Sequence, residues 1–315
     1  MAAKAKKIGA NKVQEFAPVI GIVVLAIIFQ IATGGKLLTG SNIKVILNTL
    51  FTYLIVSIGA TFVYTAGGMD MSVGGLLGIC ALLVSVGMNA GSALLGLLLA
   101  VLMGALSGFI NGGVQVMWGI PPFVMSLCLR YIYRGILVTV NETVGNIKVP
   151  SEYQDYDNTI LKFVVLVAVF AVAWVLFYRT RIGKAAKAIG GNSVAAEQSG
   201  ISVRKYTIIV YIITGICVAI ASFFTTARQV GVVTDTGSGL ELNVLVSVVI
   251  GGLGIRGGAA SSLKCCLIGS VIVAMLNNGL VLAGVPSTMV EGIKGLLFLV
   301  VVFLTYERRP GDIIY

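Results

Sequence analysis

The sequence predicts an all-α polytopic membrane protein of about ten transmembrane helices, and three observations carry that prediction. Of 315 residues, 57% are hydrophobic and 11% charged, with a mean hydropathy of +1.01, a balance for which lipid, not water, is the fitting solvent. The apolar residues fall in runs of the roughly 20 residues that a hydrocarbon core demands. Charged residues collect between the runs, basic and acidic ones in different connections. The excess of 22 Lys and Arg over 12 Asp and Glu therefore reads as topology, and no nucleic-acid partner is expected.

The first run, residues 16–32, follows the basic segment Met1–Lys12 and mimics a signal peptide. No convincing small-x-small cleavage site follows, so it reads as a retained first span. Runs at 45–66, 71–89, 92–117 and 122–140 lead to an acidic, hence external, connection with Glu152, Asp155 and Asp157. Run 159–178 then reaches the longest basic stretch, Arg179, Arg181, Lys184, Lys187, Arg204 and Lys205. Runs 206–226, 240–255, 264–283 and 287–305 end at Arg308 and Arg309. Charge and span parity agree from Lys4, Lys6, Lys7 and Lys12 to the last arginines, and both termini come out cytoplasmic. Runs 71–89 and 240–255 are short or glycine-rich, the pattern of re-entrant or broken helices.

Residues 1–315 thus form a single transmembrane domain, with halves at about 16–140 and 159–305 and a cytoplasmic loop at about 179–205. The halves echo each other. Asn111-Gly112 followed by Gly119-Ile120-Pro121 returns as Asn278-Gly279 followed by Gly284-Val285-Pro286, and Gly67-Gly68 returns as Gly251-Gly252. The offset of five spans makes this an inverted repeat, as in many transporters.

Little in the chain suggests chemistry. There is no histidine, and Cys80, Cys128, Cys217, Cys265 and Cys266 lie in or beside apolar runs without a CxxC pair. Disulfides, metal sites and triad catalysis are not expected, and catalytic residues are none. Gly252-Leu-Gly-Ile-Arg-Gly257 matches G-x-G-x-x-G but ends a membrane run instead of joining a strand to a helix, so it is no dinucleotide site. No G-x-x-x-x-G-K-[ST] occurs, so ATP hydrolysis is not expected of this chain. Gly104 and Gly108 form a small-xxx-small pair that suits close helix contact, with a dimer face as one expectation.

Asp70 lies between apolar segments, where an acid is by default a functional candidate. Gly67-Gly68 before it and Ser72 after it equally suggest a helix start, with Asp70 or Ser72 capping free N–H groups. Asn48, Asn111, Asn277 and Asn278 offer amides that suit either a polar solute or helix packing. The candidate pathway residues are Asp70, Ser72, Asn111, Asn277 and Asn278.

The basic loop from Arg181 to Ile201 is rich in small residues, and its Gly-Gly-Asn turn separates two short helical stretches. Small side chains let a helix seat in a groove of a partner, with Lys184, Lys187 and Glu197 able to steer docking. Its Gly183, Ala188, Ile189, Gly190, Asn192, Ala195, Ala196, Ser199, Gly200 and Ile201 match the coupling segment of ribose-type sugar permeases of ATP-binding-cassette (ABC) importers. The same family is resembled by Gly67-Gly68-Met-Asp-Met-Ser-Val-Gly74, by Gly119-Ile-Pro-Pro-Phe-Val124 with Arg134-Gly135, and by Glu241-Leu242 leading to Gly251-Gly252. Asn243, where the family usually has Asp, and Leu253–Ser261 depart from its pattern and leave the subgroup open.

The resemblance implies a permease subunit of the bacterial inner membrane that binds no cofactor. Its partners would be a cytoplasmic ABC ATPase carrying ATP and Mg, an extracytoplasmic solute-binding protein, a second permease copy and membrane lipid. The solute is expected to be a sugar such as ribose or another monosaccharide; nucleoside and branched-chain amino acid permeases share the architecture. From the residues alone, the rivals are an ion-coupled secondary transporter, for which few intramembrane acids are available, and an intramembrane enzyme, for which Asp70 has no evident acidic partner.

Overall fold

The computed structural model describes residues 21–254 and 257–305. Helix α1 (Gly21–Ala32) is followed by α2 (Gly40–Thr65), α3 (Val73–Asn89), α4 (Ala93–Trp118) and α5 (Pro122–Val144). A short strand β1 (Ile147–Lys148) and a 3-10 turn (Ser151–Tyr156) lead to α6 (Thr159–Tyr178), then α7 (Arg181–Gly191) and α8 (Ser193–Gln198). The chain continues through α9 (Val203–Gln229), β2 (Gly231–Val232), α10 (Leu240–Ile250), α11 (Lys264–Leu282) and α12 (Ser287–Thr305). Each of the ten apolar runs holds one helix, and the protein is an all-α, multi-pass membrane protein. Helices α2, α4, α5, α6, α9 and α11 are long and apolar enough to cross a bilayer.

Two helices are shorter. Helix α3 has 17 residues and α10 only 11; at 1.5 Å per residue α10 covers about 16 Å, roughly half a hydrocarbon core. Run 240–255 stops early because Gly251-Gly252 follows Ile250, with Gly252 at φ +101, outside the helical range. The basic residues at both termini, and Ile255 and Arg256 of the G-x-G-x-x-G match, lie outside the described residues.

Helix α9 packs against α2, α3 and α4, around a core that includes Phe51, Leu77, Val84, Val218 and Val244. Between α4 and α9 the backbones touch. A Cβ on Gly104 would strike the Gly215 carbonyl, and one on Gly108 the Tyr211 carbonyl. The Gly104/Gly108 pair therefore serves a contact inside the chain and not a dimer face, which corrects that expectation. Small residues permit the close packing that joins helices where lipid removes the hydrophobic drive. Helix α6 is peripheral, with 17% of its apolar window buried against 56% for α2, so its Ile160, Phe163 and Val164 are left for lipid.

Contacts between distant segments fix which ends share a side. Antiparallel pairing of Ile147 with Val232 puts the C-terminal ends of α5 and α9 together. At the opposite end, the Gly258 N–H donates to the Thr65 carbonyl at the end of α2 (2.9 Å), and Gly190 of α7 packs on the same carbonyl. The Gly119 turn belongs to that second end, beside Gly67 and Thr207, whereas Gly284 follows α11 at the first. The helix pairing also has an internal correspondence: α3 packs on α4, α5 and α9, and α10 packs on α11, α12 and α2. Exchanging α2–α5 for α9–α12 turns one set into the other.

Candidate translocation pathway and coupling surface

The loop after α6 forms two helices because its polar residues cap them. Thr180 Oγ1 accepts from the Ile182 N–H at the start of α7 (3.1 Å), and Asn192 Oδ1 from the Ala195 N–H at the start of α8 (3.0 Å), each satisfying a donor that a helix start leaves free. The two helices have different surroundings. In α7, Gly183, Ala185, Ala186 and Ile189 are buried; a Cβ on Gly183 would strike the Phe177 carbonyl, and one on Gly190 the Thr65 carbonyl. Lys187 Nζ lies 4.8 Å from the Phe177 ring centre, within cation–π range. In α8 and its flanks, Asn192, Val194, Ala195, Glu197, Ser199 and Gly200 are exposed, and Ala196 alone turns inward. Of the candidate coupling residues, Gly183, Ile189, Gly190 and Ala196 seat the loop on the bundle, Ala188 is half-buried, and Asn192, Ala195, Ser199 and Gly200 are free to meet another protein.

Asp70, Ser72 and Asn111 come together. Asp70 Oδ1 accepts from the Ser72 N–H (2.9 Å), the Ser72 hydroxyl (2.6 Å) and the Asn111 amide (3.3 Å), while Gln115 donates to Asn111 Oδ1 (2.6 Å). All four side chains are buried. The capping expectation is corrected: neither Asp70 nor Ser72 bonds a free N–H of the helix, and the carboxylate instead braces the turn before α3 and ties it to α4.

Asn277 and Asn278, both on α11, reach the start of α10 and the first half of α2. Asn277 donates to the Tyr53 hydroxyl (2.9 Å) and to Asn243 Oδ1 (3.1 Å), which also accepts from the buried Lys294 of α12 (2.9 Å). Asn278 and Asn42 exchange two amide hydrogen bonds of 2.8 and 2.9 Å. Asn243 forms the floor of a cleft of about 200 Å³ between α2, the ends of α6 and α9 nearest the β1–β2 pair, and the segment before α10; Asn48, Thr52, Tyr53, Lys162 and Arg228 are among its walls. Lys162 donates to Asn48 (2.7 Å) and pairs with Asp157.

On the other side of the segment before α10 stand two arginines of α5. Arg130 pairs with Glu241 (2.6 Å) and Arg134 with Asp235 (2.5 Å). Gly74 makes room for the first pair, since a Cβ there would strike the Glu241 carboxylate. The side chain of Glu241 is 4% exposed, but those of Arg130 and Asp235 are 37% and 86% exposed. Both arginines stand near the middle of α5, where charges against lipid cost about 2.5–3.5 kcal/mol each. This face of α5 is therefore one that protein or water must cover.

Lys162, Arg228, Arg130, Tyr53 and Lys294 are not among the candidate pathway residues read from the sequence. The signals existed in part: Lys162 is the one charge in run 159–178, and Arg130 and Arg134 stand four apart in run 122–140. Their partners lie too far along the chain for spacing to reveal.

Apolar spans around a polar cleft, with a short exposed helix of small residues at the far end, are the architecture of a polytopic membrane transport protein. Residues 42–302 match the family described as the permease component of branched-chain amino acid transport systems, and the chain belongs to this family of transport permease subunits. It is 30% identical over 303 residues to the ribose import permease protein RbsC of Bacillus subtilis, covering 94% of each chain. It is also 30% identical to the autoinducer 2 import system permease protein LsrC of Photorhabdus luminescens, over 81% of this chain and 79% of that one. For LsrD of Salmonella typhimurium the identity is 31%, over 79% and 78%. No solved structure matches the chain. As a permease subunit the chain is a transport component and not an enzyme, with ATP hydrolysis on a separate subunit.

Proposed function

We propose that this chain is the membrane-spanning subunit of an ABC importer in a bacterial inner membrane, carrying a small polar solute of the sugar class, such as ribose or another monosaccharide. The observation that carries the reading is the pairing of a polar cleft at one end of the bundle with an exposed, small-residue helix, α8, at the other. Similarity to a ribose import permease along 94% of both chains supports the solute class. In this reading the α8 end is cytoplasmic, in keeping with its basic residues, and both termini share that side. The cytoplasmic ATPase, bearing ATP and Mg, grips α8, and the solute-binding protein docks over the β1–β2 strand pair and the acidic 3-10 turn. A second permease copy covers the charged face of α5, so that the pathway runs between two copies ringed by lipid. The correspondence of α2–α5 with α9–α12 supports an inverted repeat of two halves.

The test is uptake by cells carrying the permease with its ATPase and binding protein. Import that needs ATP and survives an uncoupler is expected; import that collapses with the ion gradient would move the chain to the secondary transporters. Ala195→Trp on the exposed face of α8 should cut uptake at least about tenfold and release the ATPase on purification while the permease stays folded. Gly190→Leu should instead unfold the permease, because Gly190 packs inward.

A further inference from the structure

The cleft walled by α2, α6 and α9 carries more hydrogen-bonding capacity than the protein uses. Among the described residues, the Thr52 hydroxyl, the Arg228 guanidinium and the Gln229 amide, all lining it, have no protein partner. Tyr53 accepts from Asn277 and so keeps its own hydroxyl hydrogen to donate. Asn243 accepts twice through Oδ1, and its amide nitrogen finds no acceptor among the described residues. Beside these groups, Phe51 and Phe224 meet edge to face with centroids 4.9 Å apart, an apolar wall next to a polar one. A convergent set of polar groups against an aromatic surface is how a small-molecule site is built.

Size and charge narrow the ligand. A cleft of about 200 Å³ has room for one small ring. The charge of Lys162 is neutralised by Asp157, and the unused groups at the floor, Thr52, Tyr53 and Asn243, are uncharged. An anion would meet the exposed Arg228 at the rim, while Lys294 stands behind Asn243, bonded to its Oδ1, and does not line the cleft. Hydroxyl groups, which donate and accept, match neutral groups of this kind and replace the water that otherwise satisfies them.

The geometry points to this cleft as a binding station for an uncharged, polyhydroxylated solute of one ring, entered from the external side before the pathway between the two copies. The inference rests on the sugar-import reading above and adds the place within one copy where the solute is first held. The segment before α10 links the two, because Gly237 and Ser238 line both the cleft and the face of α5 that carries Arg130 and Arg134.

Thr52→Cys in a chain whose five cysteines are replaced, assembled with its ATPase and binding protein in intact cells, tests this. Radiolabelled ribose, xylose, arabinose, galactose and glucose are first scored for uptake. A membrane-impermeant maleimide should then label Thr52→Cys from outside, and the transported sugar should slow that labelling without affecting Ala90→Cys, at the outer end of α3. In the chain with its native cysteines, Thr52→Val should raise KM for the same sugar by about two- to tenfold, the value of one neutral hydrogen bond, with permease amount and ATPase retention unchanged. A transported sugar that neither protects the cysteine nor shifts KM, or a cysteine that never labels, overturns the station and leaves the import reading standing. Uptake of none of the five sugars overturns both.

Discussion

The starts of α3 and α10 occupy corresponding places in the two halves of the bundle, yet they are held differently. At α3 the sequence Asp70-Met71-Ser72-Val73 satisfies itself: the Asp70 carboxylate collects the Ser72 N–H, the Ser72 hydroxyl and one amide from α4. At α10 the sequence Glu241-Leu242-Asn243-Val244 depends on distant helices. Glu241 takes its counter-charge from α5, and Asn243 takes donors from α11 and α12. The first junction is sealed among buried residues, and the second faces the cleft on one side and the charged surface of α5 on the other. A junction that relies on other helices is exposed to changes in each of them. A substitution in α5, α11 or α12 therefore reaches the start of α10, whereas the start of α3 depends on its own turn and α4.

The largest expected effect is at the dependent junction. Arg130→Leu leaves Glu241 buried without its partner, which should cost about 3 kcal/mol or more, read as thermal unfolding of the detergent-purified protein. Glu241→Leu with Arg130→Leu should lose less than Arg130→Leu alone, because no buried charge is then left unpaired. Equal losses in the single and double variants would mean that the pair is not what holds α10. At the sealed junction, Asp70→Ala strands three donors and should cost about 2 kcal/mol, while uptake per folded molecule stays level. If Asp70→Asn folds normally but imports poorly, the contrast breaks, and the α3 junction belongs to the pathway too.

The contrast also marks what could be read from the chain. Hydropathy is a one-dimensional signal, so all ten helices lie where the runs predict, and the Gly-Gly-Asn break between α7 and α8 was visible because Asn192 caps locally. A local role for Asp70 and Ser72 at the start of α3 was legible for the same reason, with the partners two residues apart, though the bond between them is not the expected helix cap. Helix α10 was overestimated, since apolar residues continue past the glycines that end it. The pairing of Arg130 with Glu241 spans α5 to α10 and leaves no local trace, nor does the inward turn of Gly183 and Gly190, which composition treats like the exposed Ala195.

Asn243→Asp should have the smallest effect and is the most informative for the comparison, because it gives the α10 start an acid like that of α3. Asp would accept from both Asn277 and Lys294, and the Lys294 contact, already charge-assisted, would become an ion pair. Part of that gain is lost to burying a second charge, so a net stabilisation of about 1 kcal/mol is expected, seen as a modest rise in unfolding temperature. The same change removes the amide N–H donors that Asn243 presents at the cleft floor, so KM for the transported sugar should rise even as the protein becomes more stable. A higher unfolding temperature together with a higher KM would separate the role of residue 243 in holding α10 from its role at the cleft. A changed unfolding temperature with an unchanged KM would mean that the Lys294 contact, and not the cleft, sets the character of this junction.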